Sequence, residues 1–246
     1  MYRRTVDGQV LDFGTSGLLR FSNLVMYDRQ TESWWQEFGG EPIVGHYLGK
    51  KLEMLPLRIM SWKDFKSSFP GGKVLSKNTG HARPYGQNPY VAYDSFSSPF
   101  LYDGPEDRRV PMLERVVGIK IGEQSVAVPY SVIEQKGLVQ LKIAGDSLLI
   151  VHRKGLASSL DDYDVAGGRD IGAVDTFSAA VDGRALTFRL QEEALVDRET
   201  GTAWTKQGLG IRGPLEGKQL RLATHSSAFW FAWSAFAPGT TIYRGD

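Results

Sequence analysis

Apolar residues along this chain occur in short runs bounded by glycine and acidic turn residues, a pattern typical of antiparallel strands. Residues 115–128 predict one hairpin, which turns at Gly122 and Glu123, and residues 139–152 predict another. Asp-Gly steps mark further turns, because glycine reaches the backbone conformations that tight turns require. The pattern therefore predicts a mainly β protein, in the sense of a β-rich α+β fold.

Two short aromatic-rich helices interrupt the predicted strands, and a third short helix can start at Pro129 and end near Gly137. Ser61 can cap the first, whose aromatic residues share one face, and Ser227 can cap the second over residues 229–236. The aromatic residues of the first helix are Trp62, Phe65 and Phe69. We expect the aromatic residues of the second helix to belong to a core, because they recur at helical spacing beside a capped start.

The same short patterns occur twice along the chain in the same order. Glycine stands where backbone geometry is demanding and tryptophan where a large core volume is filled, so these matches are unlikely by chance. We therefore predict two related halves from an internal duplication, each made of strands and hairpins with a short C-terminal helix. The matched pairs are Val6-Asp7-Gly8 with Val181-Asp182-Gly183, Asp28-Arg29 with Asp197-Arg198, Trp35 with Trp204, Gly45 with Gly213 and Trp62 with Trp230.

This repeat predicts three parts along the chain. Residues 1–75 form a first repeat, residues 76–114 a connecting loop rich in Gly, Pro and Tyr, and residues 115–246 a second repeat with its preceding hairpins. The first repeat has no counterpart of the strands before the second, which would leave an open sheet edge. We therefore expect either that the chain is the C-terminal portion of a longer protein or that the first half self-associates.

Composition narrows the classes of partner. Lys plus Arg number 29 and Asp plus Glu 28, a net charge of +1 that gives no electrostatic footprint for nucleic acid. There are no cysteines, which excludes disulfides, thiol nucleophiles and cysteine zinc sites. No apolar run approaches the roughly 20 residues of a membrane span, and no apolar stretch follows the charged N-terminus as a signal peptide requires.

The connecting loop gathers the side chains best suited to binding. It carries an imidazole, a guanidinium, side-chain amides and three phenols within a short distance along the chain, and function concentrates on such loops. The group could bind an anion, a sugar or a metal, with His81 as the candidate metal ligand. The alternative is a loop that is held by its own hydrogen bonds and prolines. The candidates are His81, Arg83, Tyr85, Asn88, Tyr90 and Tyr93.

The repeated Asp-Arg steps are the second candidate. Asp28 and Arg29 match Asp197 and Arg198, and each pair precedes a tryptophan, Trp35 or Trp204. The two carboxylates could belong to symmetry-related sites. Alternatively each aspartate accepts turn N–H groups while the arginine pairs nearby, and occurrence in both copies favours this structural role.

The full set of motifs resembles a known family, catalogued as domain of unknown function 3179. Members of that family are typically exported, which implies a periplasmic or cell-surface location, and no activity is agreed for them. They usually carry a Cys-Pro-x-Cys motif before the first Val-Asp-Gly, and nothing about it carries over to this cysteine-free chain. The resemblance rests on residues 6–8, 16–19, 23–34, 79–86 and 229–233.

Two classes of function remain open from the sequence, which identifies no cofactor. The first is a non-catalytic exported binding or scaffold protein, with a small molecule, sugar or peptide bound near residues 79–93. The alternative is a metal-assisted enzyme that uses His81, Arg83 and Tyr85 in a cleft between the two halves.

Overall fold

The computed structural model describes residues 1–192 and 194–245, and it confirms the predicted β-rich fold. In chain order the strands are β1 (Thr5–Val6), β2 (Gln9–Val10), β3 (Phe13–Arg20), β4 (Asn23–Asp28), β5 (Trp34–Gln36), β6 (Glu41–Val44), β7 (Arg115–Ile121), β8 (Gln124–Pro129), β9 (Leu138–Ile143), β10 (Asp146–Arg153), β11 (Ala173–Ser178), β12 (Ala180–Val181), β13 (Arg184–Ala185), β14 (Phe188–Gln191), β15 (Ala194–Asp197), β16 (Ala203–Trp204), β17 (Gly210–Arg212), β18 (Ser226–Phe229) and β19 (Thr241–Ile242). The α-helices are α1 (Trp62–Ser68), α2 (Tyr130–Lys136) and α3 (Trp230–Phe236), and two 3₁₀ turns cover Tyr93–Ser95 and Val165–Gly167.

The chain divides into two compact units, each of which is built from separate stretches of sequence. The first unit contains Met1–Leu57, Ser97–Ser131 and Leu222–Asp246, and the second contains Arg58–Phe96 and Val132–Arg221. Each described α-helix has seven residues, too few to cross a membrane.

Two four-stranded sheets form most of the first unit. One is the antiparallel sheet β3-β4-β5-β6, and the other has the order β18-β7-β8-β19, in which β19 runs parallel to β8. The predicted hairpin of residues 115–128 is confirmed, because β7 and β8 pair across a turn at Gly122 and Glu123. The small hairpin β1–β2 turns at Asp7 and Gly8.

Helix α3 is packed against the second of these sheets, as predicted for an aromatic core helix. Trp230 is fully buried and Trp233 nearly so. Gly118 of β7 makes this possible, since a Cβ there would lie 2.2 Å from the Trp233 ring. A side chain at position 118 would therefore displace the helix from its sheet.

The predicted cap of α3 is wrong. Ser227 lies in β18 and pairs with Val117, so the helix begins later, and its N-cap residue Phe229 offers no side-chain hydrogen bond. The backbone N–H groups of Trp230 and Phe231 instead donate to the carbonyls of residues 114 and 112. Backbone carbonyls of the segment before β7 thus satisfy N–H groups at the start of the helix.

Helix α1 differs in its environment, although its predicted cap is confirmed. The Ser61 hydroxyl accepts the Asp64 N–H at 3.1 Å, and the rings of Trp62 and Phe65 stack at 5.6 Å. No residue of α1 is buried, and Trp62 is 56% exposed. The aromatic face that the sequence predicts is therefore present but largely open to solvent.

The second unit repeats the strand order of the first sheet in β14-β15-β16-β17, and it adds the three-stranded sheet β11-β10-β9. The predicted hairpin of residues 139–152 is confirmed, with β9 and β10 joined through Ala144 and Gly145. Both sheets contribute fully buried side chains, among them Ile150, Phe177 and Leu195.

Candidate functional site

The predicted loop site exposes most of its candidate residues. His81, Arg83, Tyr85 and Tyr90 are all exposed. The Tyr85 hydroxyl bonds to the Thr79 hydroxyl at 2.7 Å. Among the described residues, no three His, Asp or Glu side chains stand close enough to hold a metal ion. The metal role of His81 therefore stays a prediction.

Asn88 has a different position from its neighbours, because it is buried and holds the loop in place. Its backbone N–H donates to the Tyr163 carbonyl at 2.8 Å and its side-chain amide to the Asp162 carbonyl at 3.1 Å. Its Oδ1 accepts the Tyr90 N–H at 2.8 Å. Tyr93 is half-buried, and burial raises the pKa of its phenol. The loop is thus anchored internally while its other candidate side chains face solvent.

Asp28 is a fully buried carboxylate at the end of β4, and every bond to it comes from the following turn and strand. It accepts the Thr31 N–H at 2.6 Å, the Thr31 hydroxyl at 2.9 Å and the Trp35 indole N–H at 2.9 Å. Burial raises the pKa of this carboxyl, but the bonds from Trp35 and Thr31 outweigh it and hold the pKa below its usual value.

Asp197 at the end of β15 is surrounded in the same way. It accepts the Thr200 N–H at 2.6 Å, the Thr200 hydroxyl at 2.8 Å and the Trp204 indole N–H at 2.9 Å. Burial again opposes these bonds, and the pKa of Asp197 is again lowered. Arg29 and Arg198 follow the two aspartates, and both side chains are exposed. Both carboxylates are therefore used by intramolecular bonds.

The surroundings of Asp28 and Asp197 also match in one glycine each, Gly45 and Gly213. The φ angles of Gly45 and Gly213 are 112° and 121°. A Cβ would lie 2.6 Å from the hydroxyl of Ser33 at the first and 2.8 Å from the α-carbon of Thr202 at the second. Only glycine tolerates both the backbone angle and the close approach, which accounts for its presence at both positions.

A buried charge network lies in the second unit. Arg153 of β10 bonds to Asp175 of β11 at 2.8 Å and to Asp64 of α1 at 2.5 Å. Arg58 lies 3.4 Å from the other oxygen of Asp175, donates to the Gln207 carbonyl at 2.6 Å, and is 13% exposed. Burial lowers the pKa of Arg58, while the charge of Asp175 opposes that shift. Two arginines and two aspartates thus balance one another, and Asp64 is the most exposed of the four.

A cleft of about 490 Å³ in the first unit brings polar, charged and apolar side chains together. Gln36 of β5 lines it and is only 3% exposed, and its Oε1 accepts no hydrogen bond from the described residues. Lys51 is paired with Glu41 at 2.6 Å. The full lining is Arg20, Gln36, Phe38, Gly39, Glu41, Pro42, Ile43, Lys51, Lys120 and Phe236.

Aromatic rings position one cation of this cleft. The Arg20 guanidinium lies 5.1 Å from the centroid of Phe21 and 5.6 Å from that of Phe236. Phe236 in turn stacks on Phe38 at 5.1 Å. Such ring contacts hold the planar guanidinium without using its N–H groups.

Sequence reasoning did not find this cleft. Its residues come from β3, β5, β6, β7, α3 and the loops beside β6, and Lys120 and Phe236 lie far along the chain from the others. One signal was available at the tip of the β3–β4 hairpin. Two-residue turns of that kind favour Asn or Gly, whereas Phe21 and Ser22 occupy this one.

The sequence of the chain was also compared with known proteins. The family described as "Protein of unknown function (DUF3179)" matches residues 1–240. The chain belongs to this family. No curated protein and no solved structure matches it.

The DUF3179 match extends over all the candidate site residues described above. It includes both buried aspartates, the 79–93 loop and every residue that lines the cleft. Family membership therefore covers the candidate site as a whole but assigns it no activity.

Proposed function

We propose that this protein is a binding module and that its ligand is a small molecule held in the cleft of the first unit. The observation that carries the proposal is the unpartnered Oε1 of Gln36. A buried polar atom without a partner costs free energy, and a ligand that donates a hydrogen bond to it would remove that cost.

The cleft also has the size and mixture of groups that ligand sites share. Such sites commonly enclose about 300–1,000 Å³ and combine apolar walls with a few polar groups. Phe38, Ile43 and Phe236 supply apolar wall here, and Gln36 and Arg20 supply polar groups. These groups support binding of a ligand with both an apolar face and a polar end.

A variant that fills the cleft tests the proposal. Ile43 lines the cleft from β6, whereas its neighbour Val44 is not one of the lining residues. We expect Ile43→Trp to block binding and Val44→Trp to serve as the matched control. Melting temperatures would be measured with glucose, glucuronate, glucose 6-phosphate, benzoate and glycylglycine.

Binding to the folded state raises the melting temperature, so at least one probe should stabilise the wild type and Val44→Trp but not Ile43→Trp. Equal stabilisation of Ile43→Trp, or none of the wild type, would contradict a ligand site in this cleft.

The 79–93 loop is a second candidate for binding, as predicted from the sequence. Tyr90 and Tyr163 are both exposed, and the Tyr163 carbonyl accepts the Asn88 N–H, so both exposed rings lie in backbone segments that are joined by a hydrogen bond. Exposed rings on a fixed loop suit a sugar or peptide. Tyr90→Ser should remove stabilisation by such a probe if this surface binds it, with Tyr27→Ser in the first unit as the control.

The internal duplication and the exported location are proposals of the same kind. The matching bonds of Asp28 and Asp197 support the duplication, since unrelated segments have no reason to share them. The family resemblance supports an extracytoplasmic location. Cell fractionation that recovers the native protein from the cytoplasm would contradict the second of these.

A further inference from the structure

We propose that the ligand of this cleft carries an oxyanion, a carboxylate or phosphate, and that Arg20 binds it through the N–H edge of its guanidinium. This inference rests on the proposed function, because it identifies the chemistry of the same site. It follows from four features of the cleft, namely the support of Arg20, the balance of charge, the conformation of Phe21 and the acceptor at Gln36.

Arg20 is exposed and lies against two aromatic rings, and its donors have no protein acceptor among the described residues. Its guanidinium lies over the rings of Phe21 and Phe236, which themselves are 5.6 Å apart. Its N–H groups make no hydrogen bond or ion pair with the residues that the structure describes. A planar fork of donors that is fixed on its faces and free at its edge matches the two oxygens of a carboxylate or phosphate.

The charges that line the cleft leave an excess of positive charge. Lys51 is neutralised by Glu41 at 2.6 Å. Lys120 of β7 makes no ion pair within the described residues, and neither does Arg20. Two positive charges in one cleft therefore lack a counter-charge, which favours an anionic ligand.

The backbone at Phe21 adopts a conformation that disfavours bulky side chains, which indicates that its ring has a role beyond the turn. Phe21 and Ser22 have φ angles of 50° and 58°, in the left-handed region that disfavours bulky residues. Asn or Gly would fit this two-residue turn better. Strain of this kind persists where the surrounding structure benefits from it, and here the ring supports the Arg20 guanidinium.

Gln36 defines the other requirement for the ligand. Its Oε1 is covered and has no donor among the described residues, so a hydroxyl or N–H on the ligand, in addition to its oxyanion, would satisfy this acceptor if the side chain turns toward the cleft. Sugar acids and sugar phosphates both combine an oxyanion, hydroxyl donors and an apolar ring face. Both classes of compound therefore match the donors of Arg20 and the acceptor of Gln36.

Calorimetric titration with glucuronate, glucose 6-phosphate and glucose separates the possibilities. We expect one of the two anions to bind and neutral glucose to bind at least about tenfold more weakly, because it lacks the charge-assisted bonds. The anion that binds more tightly identifies the oxyanion as carboxylate or phosphate.

Substitution of the arginine tests its role directly. Arg20→Lys keeps the charge but removes the fork, and we expect the affinity for the bound anion to fall about tenfold or more. Arg29→Lys is the matched control, because Arg29 also lies over a ring, that of Tyr27, but is outside the cleft. Equal affinity of Arg20→Lys and Arg29→Lys would overturn the role of Arg20.

Phe21→Asn distinguishes support of Arg20 from a purely structural role. Asn suits the positive-φ turn, so the urea midpoint should not fall, while affinity for the anion should fall several-fold. Loss of stability with unchanged affinity would show that the ring serves the fold and not the ligand.

The two proposals fail in different ways. If glucose binds as tightly as the anions and Ile43→Trp abolishes that binding, the cleft is a ligand site and the oxyanion inference is wrong. If no probe stabilises the wild type, the proposed function itself is contradicted.

Discussion

Arg20 and Arg58 each lie over a phenylalanine ring, but they differ in what faces their donors. Arg58 in the second unit lies 5.1 Å from the Phe177 centroid, with the buried carboxylate of Asp175 3.4 Å away. Arg20 in the first unit has ring contacts at similar distances and no carboxylate partner among the described residues. The same side chain on the same kind of ring is therefore neutralised in one unit and open in the other.

This difference indicates how a structural arginine can be told from a binding one. Ring contacts alone do not separate the two, because both arginines have them. They differ in burial and in counter-charge, since Arg58 is mostly buried beside Asp175 whereas Arg20 is exposed with no described carboxylate partner, and at Arg20 we propose that a ligand supplies the counter-charge. Substitution of Asp175, then of Asp28 and Asp197, and finally of the two arginines tests this distinction.

Removal of the counter-charge should have the largest effect. Asp175→Asn leaves Arg58 and Arg153 buried without their shared carboxylate, and a broken buried ion pair typically costs about 3–5 kcal/mol. Urea unfolding would measure the loss. Asp64→Asn is the control, since Asp64 binds the same Arg153 from a partly exposed position and should cost about 1 kcal/mol. Similar losses in both variants would contradict a special role for Asp175.

Removal of the two buried aspartates of the sheets should have a smaller effect, and the same one in both units. Asp28→Asn and Asp197→Asn should each cost about 2–3 kcal/mol, because each weakens bonds to a charged acceptor. Since the bonds match, the two losses should agree within about 0.5 kcal/mol in urea unfolding. Clearly unequal losses would show that the hydrogen bonds of Asp28 and Asp197 do not stabilise the two sheets equally.

These aspartates also predict a pH dependence. Hydrogen bonds hold the folded-state pKa of both aspartates below its usual value of about 3.9, so the two carboxylates stabilise the fold at pH values above that. This contribution is lost as the pH falls below about 4 and through the lower folded-state pKa. The Asp28→Asn, Asp197→Asn double variant should therefore show a flatter decline of stability between pH 5 and 2. A decline as steep as that of the wild type would contradict the lowered pKa values.

Removal of the arginines themselves should give the smallest effects on stability and the clearest contrast. Arg58→Met breaks a buried pair and a bond to a carbonyl, and should cost about 1–3 kcal/mol. Arg20→Met has no ion pair to lose and should change the free energy of unfolding by less than about 0.5 kcal/mol. Urea unfolding of the two variants checks the difference, and a loss at Arg20 equal to that at Arg58 would remove the distinction between them.

The sequence predicted those elements whose hydrogen bonds join residues close together in the chain. Ser61 caps α1 through a bond to a residue three positions along the chain, and the turn at Gly122 joins adjacent strands. Both were evident in the sequence, because the interacting residues are neighbours. The buried aspartates were identified for the same reason, since their bonds stay within seven residues.

Features that depend on distant contacts were not predictable in this way. Ser227 has the sequence context of a cap, but it pairs with β7, more than 100 residues earlier in the chain. The cleft depends on Arg20, Lys120 and Phe236, which share no local pattern. Even the burial of a helix is decided by its neighbours, since α1 and α3 both have aromatic faces but only α3 has a sheet to cover it.

The placement of the tryptophans allows their intrinsic fluorescence to report changes inside the protein. Trp233 is buried and contacts the Phe38 ring edge-on at 6.2 Å, and Phe38 lines the cleft. Of the six tryptophans, Trp34 and Trp62 are the exposed ones, so a quencher in solution such as iodide would quench their fluorescence selectively. The remaining emission then comes from buried indoles, and any change in it on adding a solute would come from the interior, including the wall of the cleft.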